Sequence, residues 1–162
     1  MINNNVTNIV FAGLGGQGVI KASDILADAL VLAGHDVKKS ELHGMSQRGG
    51  SVTSDVRFGP RVLSPMVPPG QADFLIVLAP DQVDNNCHLL RSGGVLLTPS
   101  LIDESKLASK RSLNIALLGA LSRHLPLTED TWLAAVKNNL PEKGIEANIQ
   151  AFRLARAAAS PA

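Results

Sequence analysis

Short apolar runs alternate with helical periodicity along most of the chain. Val6 to Ala12 is apolar and rich in β-branched residues, which predicts a first strand, and it breaks into Gly13-Leu14-Gly15-Gly16-Gln17-Gly18. From Val19 onward Ile20, Ala22, Ile25, Leu26, Ala29, Leu30 and Ala33 recur at spacings of three and four, so this stretch reads as a helix with one buried face. Gly34 supplies its stop, because a left-handed residue costs glycine little. Asp36 to Glu41 predicts a second strand. Ser51–Phe58 and Arg61–Ser64 flank Gly59-Pro60 and predict a hairpin. Phe74–Ala79 shows no alternation, which fits a strand covered on both faces. Pro80 opens a helix through about Leu90, Gly93-Gly94 turns the chain into a strand at Val95-Leu96-Leu97, and helices follow over Leu113–Arg123, Thr128–Asn139 and Ile145–Ala159. The expected fold is α/β: a Rossmann-like, doubly wound, mainly parallel sheet with an inserted β-hairpin, one domain over residues 1–162.

Composition narrows the chemistry. Of 162 residues 45% are apolar and 18% charged, which suits a packed core rather than a disordered chain. Fifteen basic against fourteen acidic side chains leave a formal charge of +1, too little for a field that grips nucleic acid. Four Phe, one Trp and no Tyr give no base-stacking platform. A single Cys excludes an internal disulfide and a cysteine-ligated zinc or iron–sulfur centre built from this chain alone. The first residues lack a positive, apolar leader, and no run approaches the ~20 apolar residues of a membrane helix. A cytoplasmic protein with neither nucleic acid nor membrane as partner is the expectation.

Two loops carry the candidate chemistry. Gly13, Gly15, Gly16, Gln17 and Gly18 stand between a strand and a helix in G-x-G-x-x-G spacing. Glycines there permit a tight turn and bring backbone N–H groups and a helix N-terminus toward an anion; the same glycines also serve where helix and strand simply pack closely. Glu41 lies roughly twenty positions after Gly18, where a dinucleotide site places the carboxylate that holds a ribose. The second loop, Ser40-Glu41-Leu42-His43-Gly44-Met45-Ser46-Gln47-Arg48-Gly49-Gly50-Ser51, leaves the carboxyl end of the second strand. Arg48 can fork onto a carboxylate or phosphate, and His43, Ser46, Gln47, Gly49 and Gly50 complete the polar stretch. A solvated loop with no specific role fits the same residues. Two motifs fail on register: Val19 stands where a P-loop needs Lys, and Arg48 stands where a nucleophile elbow needs Gly. No catalytic pair and no metal set emerges.

Gly13-x-Gly15-Gly16-Gln17-Gly18-Val19, followed by Ser40-Glu41-x-His43-Gly44-Met45-Ser46-Gln47-Arg48-Gly49-Gly50-Ser51-Val52, resembles the gamma-type domain of 2-oxoacid:ferredoxin oxidoreductases, in a form like that of indolepyruvate-type small subunits. The likeness runs on through Val56-Arg57-Phe58-Gly59, Ser64-Pro65, Ala72-Asp73, Asn114, Leu118-Gly119-Ala120, Asn148 and Ala151-Phe152. The resemblance implies a non-catalytic small subunit of an enzyme that oxidatively decarboxylates a 2-oxo acid, an arylpyruvate such as indolepyruvate, to an acyl-coenzyme A and passes electrons to ferredoxin. It also implies that thiamine diphosphate and iron–sulfur clusters sit in a larger partner subunit, through which ferredoxin is reached. Both loops then face the active centre and contact coenzyme A or a diphosphate. An independent NAD-type nucleotide-binding module is the competing reading, and a homodimeric scaffold without ligand a third.

Overall fold

The computed structural model describes residues 5–44 and 49–158. Strand β1 (Thr7–Leu14) buries Ile9, Val10, Phe11 and Ala12 consecutively, because it runs between two neighbours and beneath cover on both faces. Helix α1 (Val19–Leu32) follows, and the chain leaves it through Gly34 at φ +91°. Strands β2 (Asp36–His43) and β3 (Ser51–Gly59) come next, then β4 (Ala72–Val77), the single-turn helix α2 (Val83–Asn86) and β5 (Leu90–Leu97). Helices α3 (Leu113–Ser122), α4 (Glu129–Asn139) and α5 (Ile145–Ala158) complete the fold. The Thr128 hydroxyl accepts the Thr131 N–H at 3.2 Å and caps α4.

The five strands lie in the order β2-β3-β1-β4-β5. The expected α/β class holds. In detail the sheet is mixed: β4 runs parallel to β1 and β5, whereas β3 runs antiparallel to β1 and β2. The hairpin is therefore displaced from its predicted place. β3 pairs with β2, from Asp36 opposite Gly59 to His43 opposite Val52. Arg61–Ser64 forms no strand. Pro60, Pro65, Pro68 and Pro69 interrupt that segment, and a proline has no N–H to offer a ladder. Residues 60–71 instead cross the sheet as a strap pinned by side chains: Val62 N–H donates to Asp36 at 2.7 Å, Val67 N–H to Asp55 at 2.8 Å, and Arg57 Nη1 to the Ser64 carbonyl at 2.8 Å. The helix expected over Pro80–Leu90 is also broken, into a 3₁₀ turn, α2 and a second 3₁₀ turn.

The larger core lies on one face, where α1, α3, α4 and α5 cover Ile9, Phe11, Ile76 and Leu97. Trp132 and Phe152 meet there with ring centroids 5.6 Å apart. The second face has a thinner cover: Val10, Ala12, Leu75 and Val77 lie under Val67 of the strap and under Val83 and Leu89. Helix α3 is almost wholly buried, and its Gly119 sits so close to α5 that a Cβ would stand 2.2 Å from the Phe152 carbonyl oxygen. That close docking fixes the N-terminal end of α3 beside the glycine loop.

Candidate functional site

The glycine loop leaves the C-terminal end of β1, the end at which α/β sheets receive ligands. Its members divide by what they do. Gln17 folds back so that its Oε1 accepts the Leu14 N–H at 2.7 Å, and its own N–H returns to the Leu14 carbonyl at 3.2 Å. Gly13 is a packing glycine: a Cβ there would meet Gln17 Oε1 at 2.8 Å and Val19 at 2.9 Å. Gly15 ties the two loops together, since its N–H donates to the Gly50 carbonyl at 2.9 Å. Gly44 closes the base of the second loop, its N–H donating to the Ser51 carbonyl at 2.6 Å.

Gly16 and Gly18 remain. Both have positive φ, +88° and +80°, which glycine adopts without strain. Among the described residues neither amide has an acceptor. Gly18 caps α1 without any side-chain cap, and the first turn of that helix holds no acidic residue. Its N–H groups and partial positive charge therefore remain open to an anion.

Beside Gly16 and Gly18 opens a cleft of about 550 Å³, lined also by Gln17, Leu78, Lys110, Arg111, Leu113 and Asn114. No carboxylate among the described residues lines it. Lys110 and Arg111 are exposed and have no ion-pair partner among the described residues. They sit in the turn that enters α3, where Ser109 Oγ accepts the Arg111 N–H at 3.2 Å. Two cations at the start of a helix run against its dipole, so an anion beside them would relieve an unfavourable arrangement. Asn114 is 7% exposed; its Nδ2 donates to the Gly18 carbonyl at 3.2 Å and its Oδ1 accepts the Ile115 N–H at 2.9 Å.

Sequence reasoning missed Lys110 and Arg111. A basic doublet directly before a helix, where acidic residues are the norm, was the available signal. It placed Glu41 wrongly. Because β3 lies between β1 and β2, Glu41 is two strands away from the glycine loop and cannot hold a ribose there. Its carboxylate engages Lys39, which also reaches Asp24 of α1 at 2.8 Å. Burial pulls the Lys39 ammonium down, but the hydrogen bonds to Asp24 and Glu41 outweigh it and hold its pKa above the usual lysine value. His43 is exposed, with Nε2 3.9 Å from Glu41. It lines a second groove, of about 430 Å³, with Gly15, Lys21 and Val52, and Gly16 and Gly18 border this groove as well as the first. Gly49 (φ +69°) and Gly50 stand at the site edge beside Gly15. Ser46, Gln47 and Arg48 lie outside the described residues.

The donor set does not fit an iron–sulfur cluster. The one thiol, Cys87, is exposed on a short turn, and among the described residues no three His, Cys, Asp or Glu side chains converge.

Residues 8–158 match the protein family described as pyruvate ferredoxin/flavodoxin oxidoreductase. The indolepyruvate oxidoreductase subunit IorB of Thermococcus kodakarensis is 33% identical, with 91% of this chain and 93% of that one covered. Among solved structures, a keto/oxoacid ferredoxin oxidoreductase gamma subunit from Geobacter sulfurreducens superposes with a TM-score of 0.80 at 28% identity, over 94% of this chain and 98% of that one. A 2-oxoglutarate:ferredoxin oxidoreductase from Magnetococcus marinus, with 2-oxoglutarate, coenzyme A and succinyl-CoA bound, shares the fold at a TM-score of 0.82 and 21% identity. There the match covers 95% of this chain and 31% of that one.

Proposed function

We propose that this chain, which belongs to the pyruvate ferredoxin/flavodoxin oxidoreductase family, serves as the small subunit of a 2-oxoacid:ferredoxin oxidoreductase whose substrate is an arylpyruvate such as indolepyruvate. Oxidative decarboxylation and electron transfer proceed in a larger subunit that carries thiamine diphosphate and the iron–sulfur clusters and that meets ferredoxin. The small subunit contributes a binding surface for coenzyme A.

The observation that carries this reading is a glycine loop that leaves backbone amides open beside a cleft lined with two cations and no carboxylate. Such a surface neutralises and orients a phosphorylated ligand without moving a proton, which suits a subunit that positions an acyl acceptor rather than one that breaks a bond. The NAD-type reading loses its support with Glu41, whose strand is separated from β1 by β3.

Anaerobic affinity purification from the native source tests the proposal. The chain is expected to bring down a larger thiamine- and cluster-bearing polypeptide, to show no turnover alone, and to restore coenzyme A-dependent ferredoxin reduction when recombined with that polypeptide. Oxidation of a 2-oxo acid by the isolated chain would overturn it.

A further inference from the structure

The two edges of the sheet are finished differently. At one edge β5 is blunted: its ladder to β4 shifts register between Ala72 and Phe74, and Gly93 (φ +76°) and Gly94 stand within the strand. Bulges and glycines are common ways to make an edge unfit to template another strand. At the other edge β2 has neither. Its eight residues pair with β3 without a break from Asp36 to His43, and hold no proline or glycine. Among the described residues its backbone pairs with β3 alone, so its outer N–H and C=O groups are open. Lysines often guard such an edge, but both of those on β2 are engaged within the chain. Lys38 meets Asp36 at 2.9 Å, and Lys39 meets Asp24 at 2.8 Å as well as Glu41. Leu42, on the same strand, is 62% exposed.

We propose that the outer edge of β2 receives a second copy of this chain, the two β2 strands pairing antiparallel about a two-fold axis at Ser40 to join two sheets into one. The charges on the strand select both the occupant and the register. Lys39 reaches Asp24 of α1, so Val37, Lys39, Glu41 and His43 share the helix-covered face; Asp36 receives the Val62 N–H, so Lys38, Ser40 and Leu42 share the strap face. An axis at Lys39 would set that lysine against its own copy, and an axis at Glu41 would oppose two carboxylates. With the axis at Ser40, Lys39 lies opposite the copy's Glu41 and Val37 opposite the copy's His43 on one face. On the other face Lys38 lies opposite the copy's Leu42, which its aliphatic stem covers, and two small hydroxyls meet at the axis. Because β2 runs in the same direction as β1, antiparallel pairing puts the two glycine loops at opposite ends of the joint sheet. The inference does not depend on the subunit reading above.

Sedimentation equilibrium of the full chain over a range of concentrations provides the test, with the mass expected to climb from 17.0 kDa toward twice that value. Glu41→Lys sets lysines opposite each other and Leu42→Lys does the same against Lys38. Each is expected to raise the dissociation constant of the dimer roughly tenfold, because the two-fold axis counts every pair twice. Both side chains are exposed, so circular dichroism should be unchanged. Cross-linking reads the register, in a Cys87→Ser background because that thiol is exposed. Directly opposite Cβ atoms stand about 5 Å apart, within reach of a disulfide, so Ser40→Cys should give a covalent dimer on mild oxidation. Lys38→Cys or Leu42→Cys alone should not, since each then lies roughly 13 Å from its own copy, whereas the two combined should cross-link. A wild-type chain that stays monomeric up to about 100 µM would overturn the inference. So would a dimer that neither lysine substitution weakens and that Ser40→Cys does not lock. Either result leaves the subunit reading standing.

Discussion

Two loops lie against this sheet, and they use the same chemistry in opposite ways. The strap over residues 60–71 points backbone N–H groups at anions that the chain itself supplies: Val62 at the Asp36 carboxylate and Val67 at that of Asp55. The glycine loop also points N–H groups outward, at Gly16, Gly18 and the start of α1, but supplies no carboxylate to meet them. Lys110 and Arg111 add charge of the same sign. A backbone donor that finds its anion inside the chain is structure. One left facing cations and a cleft is, in the function proposed above, a binding surface whose anion comes from outside. The contrast can be broken at either loop.

The largest effect is expected at Gly18→Ala. Alanine must hold φ near +80°, and its Cβ would stand 2.3 Å from Asn114 Nδ2, so Asn114 has to rotate and release the Gly18 carbonyl. Left-handed strain and overpacking together cost about 2–4 kcal/mol, read as loss of stability in chemical denaturation. Coenzyme A affinity should fall with it, because both walls of the cleft move. Gly16→Ala is the control: φ is +88° but no atom lies within 4 Å of its Cβ, so only the conformational cost of about 1–2 kcal/mol remains. Equal losses from the two variants would remove Asn114 from the account of the loop.

At the strap the expected pattern is the converse. Asp55→Ala leaves the Val67 N–H half-buried without its acceptor, at a cost of about 1–3 kcal/mol, and loosens the cover over Val10, Leu75 and Val77. Coenzyme A binding by the assembled enzyme should stay at the wild-type value, since the strap does not line the cleft. A fall in coenzyme A affinity matching that of Gly18→Ala would dissolve the distinction between the loops.

The same contrast explains what could be read from the sequence. The β1–loop–α1 unit was legible because its signals are local: a β-branched run, glycines in a spacing that a strand-to-helix turn demands, then three-and-four periodicity closed by Gly34. Helices α3, α4 and α5 followed from the same periodicity, with Thr128 marking the start of α4. Strand order carries no local mark. Gly59-Pro60 is a strong turn signal, yet what β3 pairs with is decided by an eight-residue ladder to β2 and by prolines that disqualify the segment after it. The misreading of Glu41 descends from that one fact, because a glycine loop and a carboxylate at dinucleotide spacing form a ribose site only where their strands are neighbours. The cationic wall was illegible for a different reason. Asn114 and Gly18 touch across 96 positions of chain, and two ordinary surface cations become a site only when α3 docks against α5 at Gly119.

The smallest effect lies in the acid limb of the stability curve, and its shape separates the two carboxylates that hold the strap, Asp36 of β2 and Asp55 of β3. Burial raises the Asp55 pKa above 3.8, against the pull of the Val67 N–H and the Arg57 charge. Its folded form therefore binds a proton before the unfolded chain does, and stability increases slightly as pH falls from above that raised value toward 3.8. Asp36 behaves oppositely. The Val62 N–H and the Lys38 side chain hold its pKa below 3.8, so its contribution is present above 3.8 and is lost as pH falls through the lowered value. Denaturation of the isolated chain between pH 3 and 7 is expected to show a shallow rise followed by a fall. Asp55→Asn should abolish the rise, because an amide cannot take up the proton, while keeping an oxygen that can accept the Val67 N–H. Asp36→Asn should flatten the fall. A profile unchanged by either substitution would mean that the strap's N–H groups do not depend on the charge of their acceptors, and the division between internally satisfied and externally offered donors would then rest on the glycine loop alone.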